Sequence, residues 1–370
     1  MDPAPVRPIP ATGRRDPAVP GSLNVRRLVR GALLVGSIGL ALHLVLPQIP
    51  GIEKSLRLVI GTSHLLVVAA FLAELASETC YAELLGHSIE TTNRRRLGRW
   101  FMFRLTVTGY GAAHVLPGGG AAAATVTYGA LRRMGLDPGR VGLALAAVSV
   151  LVYGALGVGF SGSLIYMLGG GDLGLAGTAA ACSFLTLTAG VALGAYAAYR
   201  RPTLAKNVAE RVTRLVGRPL GGEGLRRRAR TWAVGLVSRL GEELRAAHQQ
   251  LTRRSAELPK FAALAFGYWA FDALCLILMF AALGVAADPL VLLVSYGIAT
   301  TLAAIPLTPG GIGIFETTML ATLALLGVGP EAAIPILGYR LFNFWLPIPL
   351  AAVFYPTLRR AGEHHSLGEG

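Results

Sequence analysis

Charge is scarce in this 370-residue chain: 15% of residues are Asp, Glu, Lys or Arg, against 53% hydrophobic, and the mean hydropathy is +0.56. That balance excludes an ordinary soluble protein and points to a membrane. Acidic residues are the scarcer sign, 20 against 34 basic ones, for a formal net charge of +14. In a soluble chain such an excess would suggest nucleic-acid binding, so its distribution has to decide. Cysteine is limited to Cys80, Cys182 and Cys275, all inside apolar stretches. They have neither the spacing of a zinc site nor the pairing of a disulfide scaffold, and read as packing residues. HExxH, a Cys-His cluster and a nucleophile-base constellation are also lacking, so no catalytic residue, metal or cofactor is expected.

What the chain has is long apolar runs. Residues 1–27 hold Pro3, Pro5, Pro8, Pro10, Pro17 and Pro20 and cannot bury a core, so a disordered tail is expected. Apolar segments follow at 28–46, 56–85, 141–168, 173–199, 261–287 and 332–355. Each is long enough to cross ~30 Å of hydrocarbon at ~1.5 Å per residue. The first lies too far from the N-terminus for a signal peptide and reads as a retained span. Two further regions, 101–134 and 290–326, are broken near the middle by proline and glycine into halves that look too short to cross.

With the N-terminus inside and six crossings, 31 of the 34 basic residues fall on one side. Lys and Arg mark the cytoplasmic side, so both termini should be cytoplasmic in an inner (plasma) membrane. Residues 94–104 and 132–140 are both basic, so the first broken region should enter from the cytoplasm, turn and return. The second starts and ends near Asp288 and Glu331, on the outside, and the two hairpins would point at each other. The expected fold is all-α: about six spanning helices plus two re-entrant hairpins, or eight spans if each broken element crosses twice. The first membrane half would run over 28–199, a basic linker over 200–258, the second half over 259–356 and a tail over 357–370.

The two broken regions repeat one another. Pro117, Gly118 and Gly119 match Pro309, Gly310 and Gly311, and Thr125, Leu131, Gly135 and Pro138 match Thr317, Leu323, Gly327 and Pro330, every pair 192 positions apart. An odd number of crossings separates the copies, so the repeat should be inverted, as in secondary transporters whose broken helices bind substrate near the midplane. The bland alternative is two kinked spanning helices.

Several residues could carry chemistry. The turns at Pro117, Gly118, Gly119 and Gly120, and at Pro309, Gly310, Gly311 and Gly313, allow positive φ and close approach. The helices after them would offer free N–H groups and a positive dipole end to an anion. Neither turn continues as the Gly-Lys-Ser/Thr of a nucleotide loop. Glu316 and Arg340 are intramembrane ionisable groups: Arg340 could hold a phosphate with Glu316 as its resting partner, or the two could be a structural ion pair. Glu74 and Glu78 share one helix face, and two carboxylates so close in low dielectric resist joint ionisation, so one could carry a proton. The preferred reading is nonetheless that they face headgroups with Glu83. Asp272 could line a cavity or sit among belt aromatics Tyr268 and Trp269, and His114, at the expected hairpin tip, could titrate or hydrogen-bond a substrate, though it more simply satisfies broken-helix carbonyls.

Residues 200–260 carry 15 basic and 5 acidic residues. Trp232, Leu236, Leu240 and Leu244 recur every fourth position among arginines, which suggests an amphipathic helix lying on anionic lipid. Membrane lipids are therefore the expected partners, nucleic acid is not, and a homodimer or a partner in envelope biosynthesis stays open.

Ile305-Pro306-Leu307-Thr308-Pro309-Gly310-Gly311-Ile312-Gly313-Ile314-Phe315-Glu316, then Gly327-Val328, then Arg340 resemble the signature of the lysylphosphatidylglycerol synthase transmembrane region family. That group includes the membrane half of the multiple peptide resistance factor. The first break departs from the family pattern, because Ala121 to Ala124 stand where members carry an acidic residue after the turn. The resemblance implies flippase-like movement of a phospholipid or polyprenyl-phosphate-linked lipid between leaflets. Only 15 residues follow Tyr355, so the aminoacyl transferase activity of full-length relatives is expected to be absent. Rival expectations are a carrier of a small anion or amphiphile, and a non-transporting subunit that scaffolds envelope synthesis.

Overall fold

The computed structural model describes residues 62–116, 119–170, 201–216, 255–304 and 308–366, with isolated positions between 178 and 200 and between 230 and 245. The expected tail, the span at 28–46, Pro117 and Gly118 lie outside the described residues, as do most of the span at 173–199 and of the Trp232 to Leu244 helix. Among the described residues every regular element is helical.

The first repeat comprises α1 (His64–Asn93), α2 (Arg99–Val115), α3 (Gly120–Arg133) and α4 (Pro138–Gly170). α5 (Pro202–Val216) belongs to the basic linker, where it was not anticipated. Its Leu204 and Val208 lie one turn apart and are exposed, beside the exposed Lys206 and Arg211. The second repeat comprises α6 (Leu258–Ala282), α7 (Pro289–Ala303), α8 (Ile314–Leu325), α9 (Ala333–Arg340) and α10 (Pro347–Ser366), with a π-helical turn, Leu341–Trp345, between the last two. Among the described residues four helical stretches are long and apolar enough to cross a membrane: His64–Asn93, Pro138–Gly162, Leu258–Ala282 and Pro330–Leu358. The chain is an all-α polytopic membrane protein.

Local chemistry sets the helix ends. Asp288 caps α7 by accepting the Leu290 N–H at 2.7 Å, with Pro289 in the first turn, where its missing N–H costs nothing. Gly135 and Gly327, equivalent in the repeat, both take left-handed φ (75° and 83°) just after α3 and α8. Gly284, at φ 66°, likewise stops α6 at Ala282, short of the span expected to reach 287. At the other end, α10 continues to Ser366, into residues read from the sequence as a tail. The π turn has a local cause. Pro347 lacks an N–H and its ring would strike the carbonyl four residues back, and the helix widens so that the Leu346 N–H reaches Leu341 O at 2.9 Å.

α2 and α3 pack as one antiparallel hairpin, α7 and α8 as the other. At ~1.5 Å per residue, the 17 and 14 residues of the first and the 15 and 12 of the second fall short of ~30 Å. The hairpin tips touch: a Cβ built on Gly310 would lie 2.9 Å from the His114 ring.

The repeat-equivalent helices α1 and α6 form the central pair. The Ser63 N–H bonds Ala282 O (3.0 Å), the Ser77 hydroxyl donates to Tyr268 O (2.8 Å) and Lys260 meets His87, so the two run antiparallel along their whole length. Antiparallel equivalents are what an inverted repeat requires. One apolar core gathers α6, α7, α8 and α9 around Cys275, Leu292, Met319 and Ile336; the other gathers α1 to α4 around Leu84, Leu105, Leu131 and Val148. Cys80 and Cys275 are free thiols in this packing.

Candidate functional site

Among the described residues five ionisable side chains are almost fully enclosed: relative exposures are 4% for Glu74, 6% for Glu78, 3% for Asp272, and 5% each for Glu316 and Arg340. They form two linked clusters at the hairpin tips and the α1/α6 pair.

The first cluster is an ion pair. Arg340, at the end of α9, donates from Nε to Glu316 Oε1 at 2.6 Å, and Glu316 Oε2 accepts the Gly313 N–H at 2.7 Å. Glu316, at the third position of α8, thus reaches back to satisfy the N-cap N–H, where the dipole favours an anion. The guanidinium lies over the rings of Phe344 and Phe315, 4.4 and 4.9 Å from their centroids, and one Nη2 approaches Gly310 O at 3.4 Å. Gly310 (φ 57°), Gly311 (φ 70°) and Gly313 (φ 80°) are all left-handed. A side chain at Gly310 would collide with Phe344, and one at Gly311 would meet Ala303. Glycine is required here both for φ and for close approach. Pro309 opens the 3-10 turn Pro309–Gly311, and in the first hairpin Gly119 (φ 49°) precedes α3, whose first residue is Gly120.

The second cluster joins α1 to the second repeat. Asp272 accepts hydrogen bonds from the hydroxyls of Tyr296 and Tyr339, the latter 3.0 Å from Oδ1, and from Asn343 Nδ2 at 2.9 Å. The same Asn343 amide donates to Glu74 Oε1 at 3.2 Å. Glu74 Oε2 and both oxygens of Glu78 have no hydrogen-bond partner among the described residues. Tyr339 and Asn343 flank Arg340 on one helical segment, so the two clusters share a backbone.

The structure separates the alternatives left by the sequence. Glu74 and Glu78 are buried, which corrects the reading that put them among headgroups: Glu83 does lie at the edge, paired with Arg99 at 2.8 Å, but the helix turns Glu74 and Glu78 inward towards α6. Asp272 is buried in the network, enclosed by Tyr296, Tyr339 and Asn343. Its neighbour Trp269 is also turned inward, donating to Val152 O at 2.7 Å. His114 packs against Phe344 and Tyr110, with ring centroids 4.3 and 4.7 Å away. Its Nδ1 has no partner among the described residues, and the ring hydrogen-bonds the backbone of Phe344. Tyr296, Tyr339 and Asn343 were missed; Asn343, a polar residue one turn past Arg340 in an apolar run, was the available signal.

Chemically, the first cluster is an anion site already filled by the protein's own carboxylate. It has a guanidinium, a helix N-terminus and glycine backbone, with the Thr308 and Thr317 hydroxyls donating to backbone carbonyls of the same turn. Residues 27–351 match the family model described as the lysylphosphatidylglycerol synthase TM region. A comparison with curated proteins gives no match.

Proposed function

The chain belongs to the lysylphosphatidylglycerol synthase transmembrane region family, and on that premise we propose that it is a flippase-like transporter that moves a phosphate-bearing lipid between leaflets. The observation that carries this reading is the seat of Glu316, whose carboxylate bridges Arg340 and the α8 N-terminus. A lipid phosphate offers oxygens of the same charge and spacing. It displaces Glu316 and takes the Arg340 fork together with the free Gly313 N–H. The meeting hairpin tips make this exchange sensitive to their separation. The site binds and releases without covalent chemistry, so transport and not aminoacyl transfer is the proposed activity.

The basic linker, α5 included, lies in this reading on anionic headgroups of the cytoplasmic leaflet of the plasma membrane. Exposed Leu204 and Val208 enter the interface while Lys206 and Arg211 meet the headgroups.

The test is reconstitution into phosphatidylcholine vesicles containing a fluorescent phosphatidylglycerol, with chemical quenching of the outer leaflet. The wild type should expose inner-leaflet label and Arg340→Ala should not. Absence of movement in the wild type refutes the transport reading, and equal rates in the two remove Arg340 from it. A soluble labelled glycerol phosphate trapped in the same vesicles reports a small-anion carrier instead.

A further inference from the structure

We propose that Glu74, Glu78 and Asp272 form a proton-exchange site that couples lipid movement to the proton gradient. The inference rests on the transport reading and deepens it, because the chemistry of these carboxylates plays no part in phosphate binding.

Hydrogen-bond accounting carries the argument. Asp272 collects three donors, from Tyr296, Tyr339 and Asn343, which is the environment of a carboxylate anion. Glu74 shares the Asn343 amide through Oε1 only, and its carboxyl group lies within hydrogen-bonding reach of Asp272. With no proton, that contact sets acceptor against acceptor and leaves Oε2 orphaned at 4% exposure. A proton on the Glu74 carboxyl group supplies the missing donor and turns the contact into a charge-assisted hydrogen bond. Glu78, one turn along α1 and also without a partner, is the next acceptor.

Among the described residues the surrounding groups supply no competing cation at contact distance. α1 adds Tyr81 and α2 adds Tyr110, which hydrogen-bonds Tyr268 of α6 at 3.0 Å. α6 also contributes Cys275 beside Glu74; α7 contributes Tyr296, and α9 Tyr339 and Arg340. From α4, Tyr153 faces Tyr81. Arg340 is the positive group whose field reaches Asp272, and it is already paired with Glu316. His114 faces Arg340 and not the carboxylates.

The geometry also supplies the coupling. Tyr339 and Asn343 hold the segment that carries Arg340 onto Asp272 and Glu74. A proton entering from water on one side occupies Glu78 or Glu74, alters the bonds of Asn343 and Tyr339, and so shifts Arg340 relative to Glu316. The proton leaves to water when the opposed hairpin opens, and no bond other than O–H forms or breaks.

Phosphatidylcholine vesicles with fluorescent phosphatidylglycerol and an internal pH dye test this directly. In the wild type, an imposed gradient should skew the label between leaflets by up to about tenfold per pH unit for one coupled proton, with a matching dye signal. Glu78→Gln should keep gradient-free, Arg340-dependent movement and lose both responses, and Glu74→Gln, which also alters the bond to Asn343, should likewise lose both responses. Glu78→Gln removes no hydrogen bond, so it separates coupling from misfolding. Lipid movement indifferent to pH overturns the coupling and leaves the transport reading standing, and a sodium gradient that skews the label at fixed pH overturns the proton. If no lipid moves in any vesicle, the transport reading fails and the coupling falls with it.

Discussion

Removing one member of the Glu316 and Arg340 pair should cost far more than removing both. The carboxylate accepts from Arg340 Nε at 2.6 Å and from the Gly313 N–H at 2.7 Å, and neither side chain reaches solvent appreciably. Glu316→Gln retains one acceptor oxygen for two donors, so one donor faces an NH2 group while the guanidinium keeps its charge in a dry site. Breaking a buried pair in this way costs about 3–5 kcal/mol. The rings of Phe315 and Phe344 stay in place and return about 1–2 kcal/mol through contact with the cation. Arg340→Gln strands the carboxylate on the Gly313 N–H alone, without that compensation, and should be the worse of the two. Glu316→Gln with Arg340→Gln leaves no uncompensated charge, so the double variant should recover at least about 2 kcal/mol of the summed loss, a coupling in the range of contacting residues. Thermal unfolding in detergent, followed by tryptophan fluorescence, reads this. With an unfolding entropy of about 2 cal/mol/K per residue over roughly 250 described residues, Arg340→Gln should melt about 6–10 °C low and Glu316→Gln, with the contribution of the rings returned, about 2–8 °C low. Strictly additive shifts, or a Glu316→Gln variant that melts like the wild type, would refute a tight pair and with it the idea that a phosphate replaces a resident carboxylate.

Two further outcomes follow from the hairpins. Gly310→Ala puts a Cβ into Phe344 and within 2.9 Å of His114 at a φ of 57°, and should lower stability by about 1–3 kcal/mol and slow lipid movement, whereas Gly129→Ala, with open space around it, should do neither. In whole cells, cysteines at Ala121 and Ile314 should label from opposite faces with an impermeant thiol reagent; labelling of both from the cytoplasm would contradict opposed hairpins.

The backbone was legible in the sequence because proline and glycine act locally. A Pro-Gly-Gly break, a glycine after the returning helix and a proline opening the next one place Gly135 with Gly327 and Pro138 with Pro330 without knowledge of any contact. Burial was harder to read. α1 is apolar around its circumference, since lipid-facing and protein-facing sides are equally apolar in a membrane, and Leu65, Val68 and Leu72 are exposed while Ala70 and Ala73 are buried. The spacing of Glu74 and Glu78 therefore gives a shared face and no direction for it; α6 decides the direction. Tyr296 and Tyr339 had no signature at all, as aromatic residues in apolar helices read as packing until an acceptor such as Asp272 is known to face them.

The backbone repeat and the distribution of polar groups disagree, and the disagreement bears on mechanism. The residues 192 positions before Asp272, Tyr296, Glu316, Tyr339, Arg340 and Asn343 are Cys80, Arg104, Ala124, Ala147, Val148 and Leu151. Each arm of the first repeat thus keeps the broken-helix geometry, but none of its equivalents reproduces the ion pair or the donors to Asp272. A carrier that simply exchanged the conformations of two equivalent halves would present equivalent binding groups to each side. Among the described residues there is one such polar set, carried by the second repeat, with Glu74 joining its Asn343 from α1 and His114 packing on its Phe344 from the tip of α2. The first hairpin, alanine-rich after its turn, can therefore move as a gate without carrying a binding charge, while the second stays tied to its ligand groups. Restoring an acidic residue at Ala124 would test that division: were the halves interchangeable, Ala124→Glu would rescue movement in Glu316→Gln, and under the asymmetric arrangement it should not, because Val148 offers no partner.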